Sequence, residues 1–334
     1  MPRTNADPRM NLYPPRSMET AADRVSVLYV IGSSRGGTTR VGRTLGLMSG
    51  ATFAGELRRL WGPSMQAGRR CGCGRPHDRC EIWSRLLVDG ASYLQPSPEH
   101  LARLQERVAP VKRSWWRTRG LLRRDAPADP RTPEGRYVRA LTDLYAAFAH
   151  VSETRILVDS SKNLGDAALL IRAPTVETYC VHVVRDPRGV LLTRRKLAGR
   201  SPARPRPIES IRTSIYWSLV HYSASAITRR YADGRSVRVR YESFADEPQR
   251  AIEAVARLVG TSPPSPELRR GEPVDVPVAH GPDGHGRSQA TQLVLTRDDA
   301  WRRELNAVDR FLATVVTYPL LRRFGYPTWR SERP

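Results

Sequence analysis

The chain has 334 residues, a formal net charge of +22 and 40% hydrophobic residues. This length allows a large buried core, and no apolar run is long enough to cross a bilayer. Residues 1–24 contain four prolines and no apolar segment of the kind found in a signal peptide. We therefore expect residues 1–24 to be disordered and the protein to be cytoplasmic. Peripheral contact with the inner face of the membrane stays open.

The positive charge limits the classes of partner. Nucleic acid, acidic polysaccharide and an anionic membrane surface all attract such a chain. An arginine-rich composition with a solvated surface explains the charge equally well. The sequence has no zinc-finger spacing, no RNP-like strand and no basic helix with interleaved base-stacking aromatics, so we expect no specific nucleic-acid partner.

A short apolar strand, a glycine loop and a helix make up residues 27–44, VLYVIGSSRGGTTRVGRT. In such a loop backbone N–H groups converge on an anion, and the helix start adds the positive end of its dipole. From Gly32 to Gly37 the spacing matches the motif G-x-x-x-x-G-K-[ST], but Thr38 replaces the lysine and Arg35 supplies a cation earlier. The loop fits an ATP site poorly; alone, an ordinary glycine-rich turn explains it equally well.

Glu56 follows a second predicted strand, residues 51–54, and is the first carboxylate after the loop. A carboxylate at that strand end can act as general base for a hydroxyl acceptor. A helix-start carboxylate, or an ion-pair partner of Arg58 or Arg59, fits equally well.

Three of the four cysteines lie between residues 71 and 80. Cys71, Cys73, His77 and Cys80 could supply four zinc ligands, and Cys73 with Cys80 could instead form a disulfide. Neither spacing is the paired Cys-x-x-Cys, and a reducing cytosol disfavours a disulfide. We favour a packed turn anchored by Trp83 and expect no metal.

The segment 96–124 predicts helices with a heavy basic load and with Trp115 and Trp116 among the arginines. This composition suits a membrane interface or a cleft for a lipid-like substrate, but a solvated helical insertion is the commoner explanation. Residues 134–150 then have apolar side chains at helical spacing, which indicates core packing.

A third strand, residues 155–158, runs into Asp159, Ser160 and Lys162. Ligands of an open α/β sheet bind at the carboxyl ends of its strands, so we expect these residues to face the same crevice as the glycine loop. A lysine there can neutralise charge on a leaving oxygen, and Ser160 can donate to a phosphate or sulfate. A helix cap at this point is compatible with both roles.

The next strand, residues 178–184, leads into Arg185-Asp186-Pro187-Arg188. Pro187 fits a first helical turn, so Arg185 ends the strand and Thr193 lies two turns further along. A guanidinium with a neutral hydroxyl suits a dianionic phosphate. A capped helix with a local ion pair is the alternative, for Arg188 in particular.

The rest of the chain continues the alternation of strands and helices. We expect a helix at 208–231, a strand at 236–240, a helix at 248–259 that Gly260 ends, and a loop at 261–277. A glycine-rich segment at 280–287 includes Arg287 and two histidines. His280 and His285 could serve as base or ligand, but we favour neither role for them. The closing helices, residues 298–324, should break near Pro319.

Three of these motifs resemble bacterial sulfotransferases that use 3′-phosphoadenosine 5′-phosphosulfate (PAPS). The run Arg35-Gly36-Gly37-Thr38-Thr39 is similar to the family's 5′-phosphosulfate loop, and Asp-Ser-Ser-Lys at 159–162 is typical of it. Arg185 with a hydroxyl eight residues later resembles the family's 3′-phosphate site, with Thr193 for the usual serine. The family's late basic loop lacks its usual Asn-Pro here and contributes only Arg287.

The resemblance covers residues 25–327 and implies an α/β fold: a P-loop-type parallel sheet flanked by helices, with a helical substrate-side insertion at about 57–150 and a tail at 328–334. It implies sulfuryl transfer from PAPS to a hydroxyl or amine of a carbohydrate, glycolipid or small metabolite, without a metal. Glu56 would be the base, and Arg35 and Lys162 would stabilise the leaving phosphate. The implied donor-binding residues are Ser34, Arg35, Gly36, Gly37, Thr38, Thr39, Ser160, Arg185, Thr193 and Arg287.

Two other functions stay open. A kinase-like P-loop phosphotransferase would share the fold, although the lysine of its loop is missing. A non-catalytic basic protein that binds membrane or nucleic acid would explain the charge without using the three motifs.

Overall fold

A parallel β-sheet forms the centre of the molecule. The computed structural model describes residues 24–61, 70–89, 98–110, 120, 129, 131–281 and 290–328. Within these residues, five parallel strands lie in the order β2-β3-β1-β4-β5. They are β1 (Ser26–Gly32), β2 (Ala51–Gly55), β3 (Ile156–Asp159), β4 (Glu177–Val184) and β5 (Ser236–Arg240). The predicted fold class is confirmed.

Both faces of the sheet are covered by helices. Along β1, Val27, Tyr29 and Ile31 point into one apolar cluster, and Leu28 and Val30 into another on the opposite face. A strand buried on both faces needs apolar residues at every position, which is why β1 reads as a continuous apolar run and not as an alternating one.

Eleven helices have their bounds within the described residues. They are, in chain order, α1 (Thr38–Leu45), α2 (Glu81–Asp89), α3 (Pro98–Val108), α4 (Pro133–Val151), α5 (Leu164–Leu170), α6 (Pro187–Leu197), α7 (Pro207–Tyr231), α8 (Tyr241–Asp246), α9 (Pro248–Val259), α10 (Trp301–Glu304) and α11 (Ala307–Arg323). Short 3-10 turns occupy Leu57–Trp61 and His77–Arg79. No described helix has the length and apolarity that a membrane span requires.

Helices α2, α3 and α4 follow one another between β2 and β3, where the insertion was predicted. They pack with α5 on one face of the sheet, in a cluster that includes Trp83, Leu101 and Tyr145. Trp115 and Trp116 lie outside the described residues, as do the lead 1–23 and the end of the tail.

Two boundaries differ from the prediction. Helix α11 runs through Pro319 without a break; Val315, four residues earlier, is exposed, so its carbonyl can turn to solvent. The break falls instead before Asn306, whose side chain accepts the N–H of Asp309 and caps α11. The predicted loop at 261–277 includes a strand, β6 (Pro273–Asp275), paired antiparallel with β7 (Gln292–Val294).

Candidate active site

The glycine loop lies at the carboxyl end of β1, the central strand. The Gly36 N–H donates to the Ser33 carbonyl at 3.0 Å. Arg35 and Gly37 have positive φ angles of 67° and 84°. Gly37 precedes α1 and has no side chain that could cap it, so the first N–H groups of α1 point towards the loop without a side-chain cap. Such a helix start is suited to an anion.

Tyr241, at the end of β5, supports this loop. A Cβ atom at Gly37 would lie 2.1 Å from the Tyr241 ring, so only glycine fits there. The Tyr241 hydroxyl accepts a hydrogen bond from Arg40 at 3.0 Å, and the Arg185 guanidinium lies 5.2 Å from the ring centroid. Sequence reasoning gave Tyr241 no role, because its contacts come from segments far away in the chain.

Arg185, at the end of β4, contacts the loop directly. Its Nη1 donates to the Arg35 carbonyl at 2.9 Å, and its Nη2 pairs with the half-exposed Asp298 at 2.7 Å. The structure therefore places Arg185 against the glycine loop, which the sequence predicted to bind the other end of the donor. The loop follows β1 and Arg185 follows β4, and these two strands are neighbours in the sheet.

Thr193 and Arg188 lie on α6 and make local contacts. The Thr193 hydroxyl donates to the Gly189 carbonyl one turn earlier, at 2.9 Å. To donate to a phosphate, this hydroxyl would have to rotate away from Gly189. Arg188 is buried, pairs with Asp186 at 2.7 Å and stacks 3.9 Å from the centroid of Trp301. Arg188 therefore forms the local ion pair that the sequence offered as the alternative to a phosphate contact.

Glu56 and Lys162 form an ion pair across the ends of β2 and β3. Lys162 Nζ lies 2.5 Å from Glu56 Oε1, and Arg59 Nε lies 2.5 Å from Oε2. Burial raises the pKa of Glu56, but the two cations outweigh it, and the pKa lies below its ordinary value. Lys162 has a φ of 64°, a strained conformation for a residue with a side chain. Arg59, which the sequence offered only as an alternative partner of Glu56, pairs with Glu56 alongside Lys162.

Asp159 and Ser160 do not face the crevice as expected. Ser160 is fully buried, and both its N–H and its hydroxyl donate to the Gly55 carbonyl, at 2.8 and 3.2 Å. Asp159 accepts from the Tyr145 hydroxyl at 2.7 Å, and burial raises its pKa to about 6. The hydrogen bonds of Ser160 tie the end of β3 to the end of β2, so its side chain is not available to a ligand. The cap of α5 is Asn163.

The residues present fit an anionic ligand. In the described part of the chain, Ser33 Oγ and Arg185 Nε are buried polar atoms with no hydrogen-bond partner. Ser34 and Arg35 in the loop, and Thr39 in the first turn of α1, are partly exposed. Arg287, the last predicted donor contact, lies outside the described residues.

The cysteine segment matches neither the zinc ligand set nor the disulfide that the sequence offered as alternatives to a packed turn. Cys71, Cys73 and Cys80 cluster with His280, and the four ligand atoms lie within 4.8 Å of one another. His77 is not in this cluster; it packs edge-on against Trp83, with ring centroids 5.9 Å apart. The cysteines are all free thiols, so no Cys73–Cys80 disulfide forms.

A parallel sheet flanked by helices, with a glycine loop after its central strand, defines an α/β protein of the P-loop type. A family profile described as "Sulfotransferase family" matches residues 28–264. The chain belongs to the sulfotransferase family, and the predicted resemblance is confirmed. Among curated proteins, none matches the chain in sequence.

Several solved sulfotransferase structures are similar to this chain. The sulfotransferase domain of the Synechococcus PCC 7002 olefin synthase is 17% identical, with 91% of this chain and 96% of that one covered and a TM-score of 0.45. The domain from the curacin biosynthetic pathway is 15% identical, with 91% and 98% covered and a TM-score of 0.46. Sulfotransferase STF1 from Mycobacterium tuberculosis H37Rv is 17% identical, with 71% and 67% covered and a TM-score of 0.43. The TM-scores lie below 0.5, so the family assignment rests on the profile match.

Proposed function

We propose that this sulfotransferase takes its sulfuryl group from PAPS, with the donor's two charged ends held by the glycine loop and by Arg185. The observation that supports this most is the hydrogen bond from Arg185 to the Arg35 carbonyl, at 2.9 Å. It places the Arg185 guanidinium directly against the backbone of the glycine loop. A donor charged at both its 5′ and its 3′ position would use both groups, whereas a 5′-nucleotide alone would use one.

The loop would bind the 5′-phosphosulfate. The backbone of Gly36 to Thr39, the Ser34 side chain and the start of α1 offer N–H and O–H donors to its oxygens. Arg185 would bind the 3′-phosphate, with Thr193 beside it on α6. Asp298 now pairs with Arg185 at 2.7 Å and would be displaced or repelled by that phosphate.

Glu56 and Lys162 would carry out the transfer. The acceptor oxygen attacks sulfur, and its proton passes to Glu56. The bond from sulfur to the 5′-phosphate oxygen breaks, and Lys162 and Arg35 stabilise the charge that grows on that oxygen. Lys162 must leave Glu56 to reach the donor. This step removes a positive charge from the carboxylate and makes it a stronger base when the donor is in place.

The same geometry argues against a kinase. The lysine that reaches the β- and γ-phosphates of ATP is replaced by Thr38, which is buried and cannot take its place as a cation. We expect ATP to bind more weakly than 3′-phosphoadenosine 5′-phosphate, because ATP has no 3′-phosphate for Arg185.

We further propose that the acceptor is a hydroxyl or amine of a carbohydrate, glycolipid or small metabolite, and that the protein contacts anionic membranes. Helices α7 and α11 expose a series of apolar side chains, namely Ile208, Ile211, Ile215, Tyr222, Val308, Phe311 and Val315. Arg200, Arg206 and Arg212 line the same surface pocket as Ile208. Apolar side chains beside arginines suit an anionic bilayer surface.

Vesicle sedimentation tests the membrane contact. We expect the protein to sediment with phosphatidylserine-containing vesicles and not with neutral ones, and to be released by salt. Ile208→Ser with Ile215→Ser should weaken sedimentation, and Val294→Ser, also at an exposed apolar position, should not. Equal binding to neutral vesicles would rule out the proposed surface.

Glu56→Gln tests the assignment of the base. Transfer of labelled sulfate from PAPS to the best acceptor in a panel of hydroxylated compounds should fall by about 10²- to 10⁴-fold, because the amide cannot take the proton. Binding of 3′-phosphoadenosine 5′-phosphate should stay close to that of the unchanged protein. The control is Glu247→Gln, an exposed carboxylate on the surface. Retained transfer in Glu56→Gln would make another group the base.

A further inference from the structure

We propose that Cys71, Cys73, Cys80 and His280 bind a structural zinc ion. The three cysteines come from the insertion, and His280 comes from the chain 200 residues after Cys80. Cys71 and Cys80 are buried, and Cys73 and His280 are partly buried. The local sequence pointed to His77 as the fourth ligand, but the fold turns His77 towards Trp83 and brings His280 to the sulfurs.

The distances are close to those of a tetrahedral zinc site. Cys80 Sγ lies 3.5 Å from Cys71 Sγ and 3.3 Å from His280 Nδ1. Around zinc, with bonds of about 2.3 Å to sulfur and about 2.0 Å to nitrogen, two sulfurs lie ~3.8 Å apart and a sulfur and an imidazole nitrogen ~3.5 Å apart. The remaining pairs lie within 4.8 Å, so a small side-chain rotation completes the tetrahedron.

Neighbouring groups hold the ligands in place. The backbone N–H groups of Ile82 and Trp83, at the start of α2, donate to the Cys80 sulfur. The Cys73 N–H donates to the Cys71 sulfur. The indole N–H of Trp83 donates to the His280 carbonyl and fixes the histidine backbone. Such N–H···S bonds and outer contacts are the usual support of a metal–thiolate site.

The ligand set selects zinc and a structural role. Three thiolates and one imidazole match the Cys₃His type of structural zinc site, and four protein ligands leave no open position for substrate. Soft thiolates disfavour magnesium and calcium, which prefer oxygen ligands. A packed turn would account for buried cysteines, but not for an imidazole nitrogen directed at a sulfur from a distant segment.

The proposed zinc would fix the segment next to Glu56. Gly281, which follows the ligand His280, accepts the Gly72 N–H at 3.0 Å. A Cβ atom at Gly281 would lie 1.9 Å from the Ala54 carbonyl, so this backbone packs directly on the end of β2. That strand end leads into Glu56. The effect on Glu56 rests on the proposed function, whereas the zinc site itself does not.

Metal analysis of the full chain tests the site. We expect about one zinc per chain in the purified protein, measured by mass spectrometry of the metal after dialysis. Cys80→Ser and His280→Ala should lose most of it, and His280→Cys should keep it as a four-cysteine site. His77→Gln and Cys180→Ala are the controls, and both should keep the metal. A metal-free protein with four free thiols, a Cys73–Cys80 disulfide, or equal zinc in all variants would overturn the proposal.

Cobalt substitution of the unchanged protein gives a readout that depends neither on activity nor on the folding of a variant. The unchanged protein loaded with Co²⁺ should show visible absorption of a tetrahedral site with sulfur-to-metal charge transfer, and His280→Cys should shift these bands. Absorption of octahedral Co²⁺ would contradict the thiolate site. Binding of 3′-phosphoadenosine 5′-phosphate is measured on the same samples. Normal binding by a protein without metal would count against the zinc site alone, and lost binding by a zinc-loaded protein would count against the donor assignment alone.

Discussion

At Glu56, two cations hold a partly buried carboxylate in its charged form. Lys162 and Arg59 each lie 2.5 Å from one of its oxygens. The pair keeps the base ready to accept a proton but also weakens it, because each positive charge favours the ionised state. Lys162 must move to the donor during transfer, whereas Arg59 can stay. The two cations can therefore be separated by experiment.

Arg59→Gln should move the acid limb of the pH profile of kcat/KM to higher pH. Loss of the guanidinium removes one of the interactions that lower the pKa of Glu56, so the carboxyl protonates at higher pH. At neutral pH, where Glu56 stays ionised, kcat/KM should change less than about twofold, because Arg59 is half-exposed and its pair is weak. The profile is measured with PAPS saturating.

Arg139→Gln is the control for this measurement. Arg139 is an exposed arginine on α4, paired with Asp143 four residues later. Its loss changes the net charge by the same amount and should leave the acid limb in place. An acid limb that stays in place in Arg59→Gln, or moves to lower pH, would show that Glu56 is not the group that titrates.

The glycine loop and α1 depend on the fit between Gly37 and Tyr241. Both Gly37 and Gly50 have positive φ angles, 84° and 67°, but only Gly37 faces a ring at 2.1 Å; around Gly50 there is open space. Gly37→Ala and Gly50→Ala should share the backbone strain of about 1–2 kcal/mol. Gly37→Ala should lose a further ~1–3 kcal/mol in the free energy of unfolding by urea, because Tyr241 must move.

Donor affinity distinguishes the same two variants. Because Tyr241 also supports Arg185, Gly37→Ala should weaken binding of 3′-phosphoadenosine 5′-phosphate by tenfold or more, and Gly50→Ala should leave it unchanged. Equal losses of stability and affinity in the two variants would mean that Tyr241 does not hold the loop.

Most elements could be predicted from local sequence, because apolar runs that end in polar residues mark β1, β3 and β4 clearly. Arg185 and Lys162 follow such runs, and the carboxyl ends of parallel strands meet at one edge. His280 and Tyr241 could not be assigned, since their contacts depend on how distant segments pack. The sequence offered Arg58 and Arg59 equally as partners of Glu56, and only the structure shows that Arg59 pairs with Glu56 whereas Arg58 pairs with Asp166. Ser160 was expected at the surface because a strand-end serine reads as exposed, but β2 and β3 pair closely enough to bury it.

At the scale of the whole molecule, the strand order decides which basic residues lie near the glycine loop. Strands β3, β1 and β4 are neighbours and parallel, so the segments that follow them, which contain Lys162, Arg35 and Arg185, lie along one edge of the sheet. This local concentration of cations suits a donor with two charged ends. The overall charge of +22 is not needed for it, and fits the proposed contact with anionic surfaces.

The preference for a 3′-phosphate tests the central claim most directly. Calorimetry should show that 3′-phosphoadenosine 5′-phosphate binds the unchanged protein at least tenfold more tightly than AMP, because charged hydrogen bonds to Arg185 contribute roughly 1.5–3 kcal/mol. Arg185→Ala should remove most of that preference, and Arg250→Ala, which removes an exposed arginine, should keep it. Equal affinity for AMP and the bisphosphate in the unchanged protein would contradict the account.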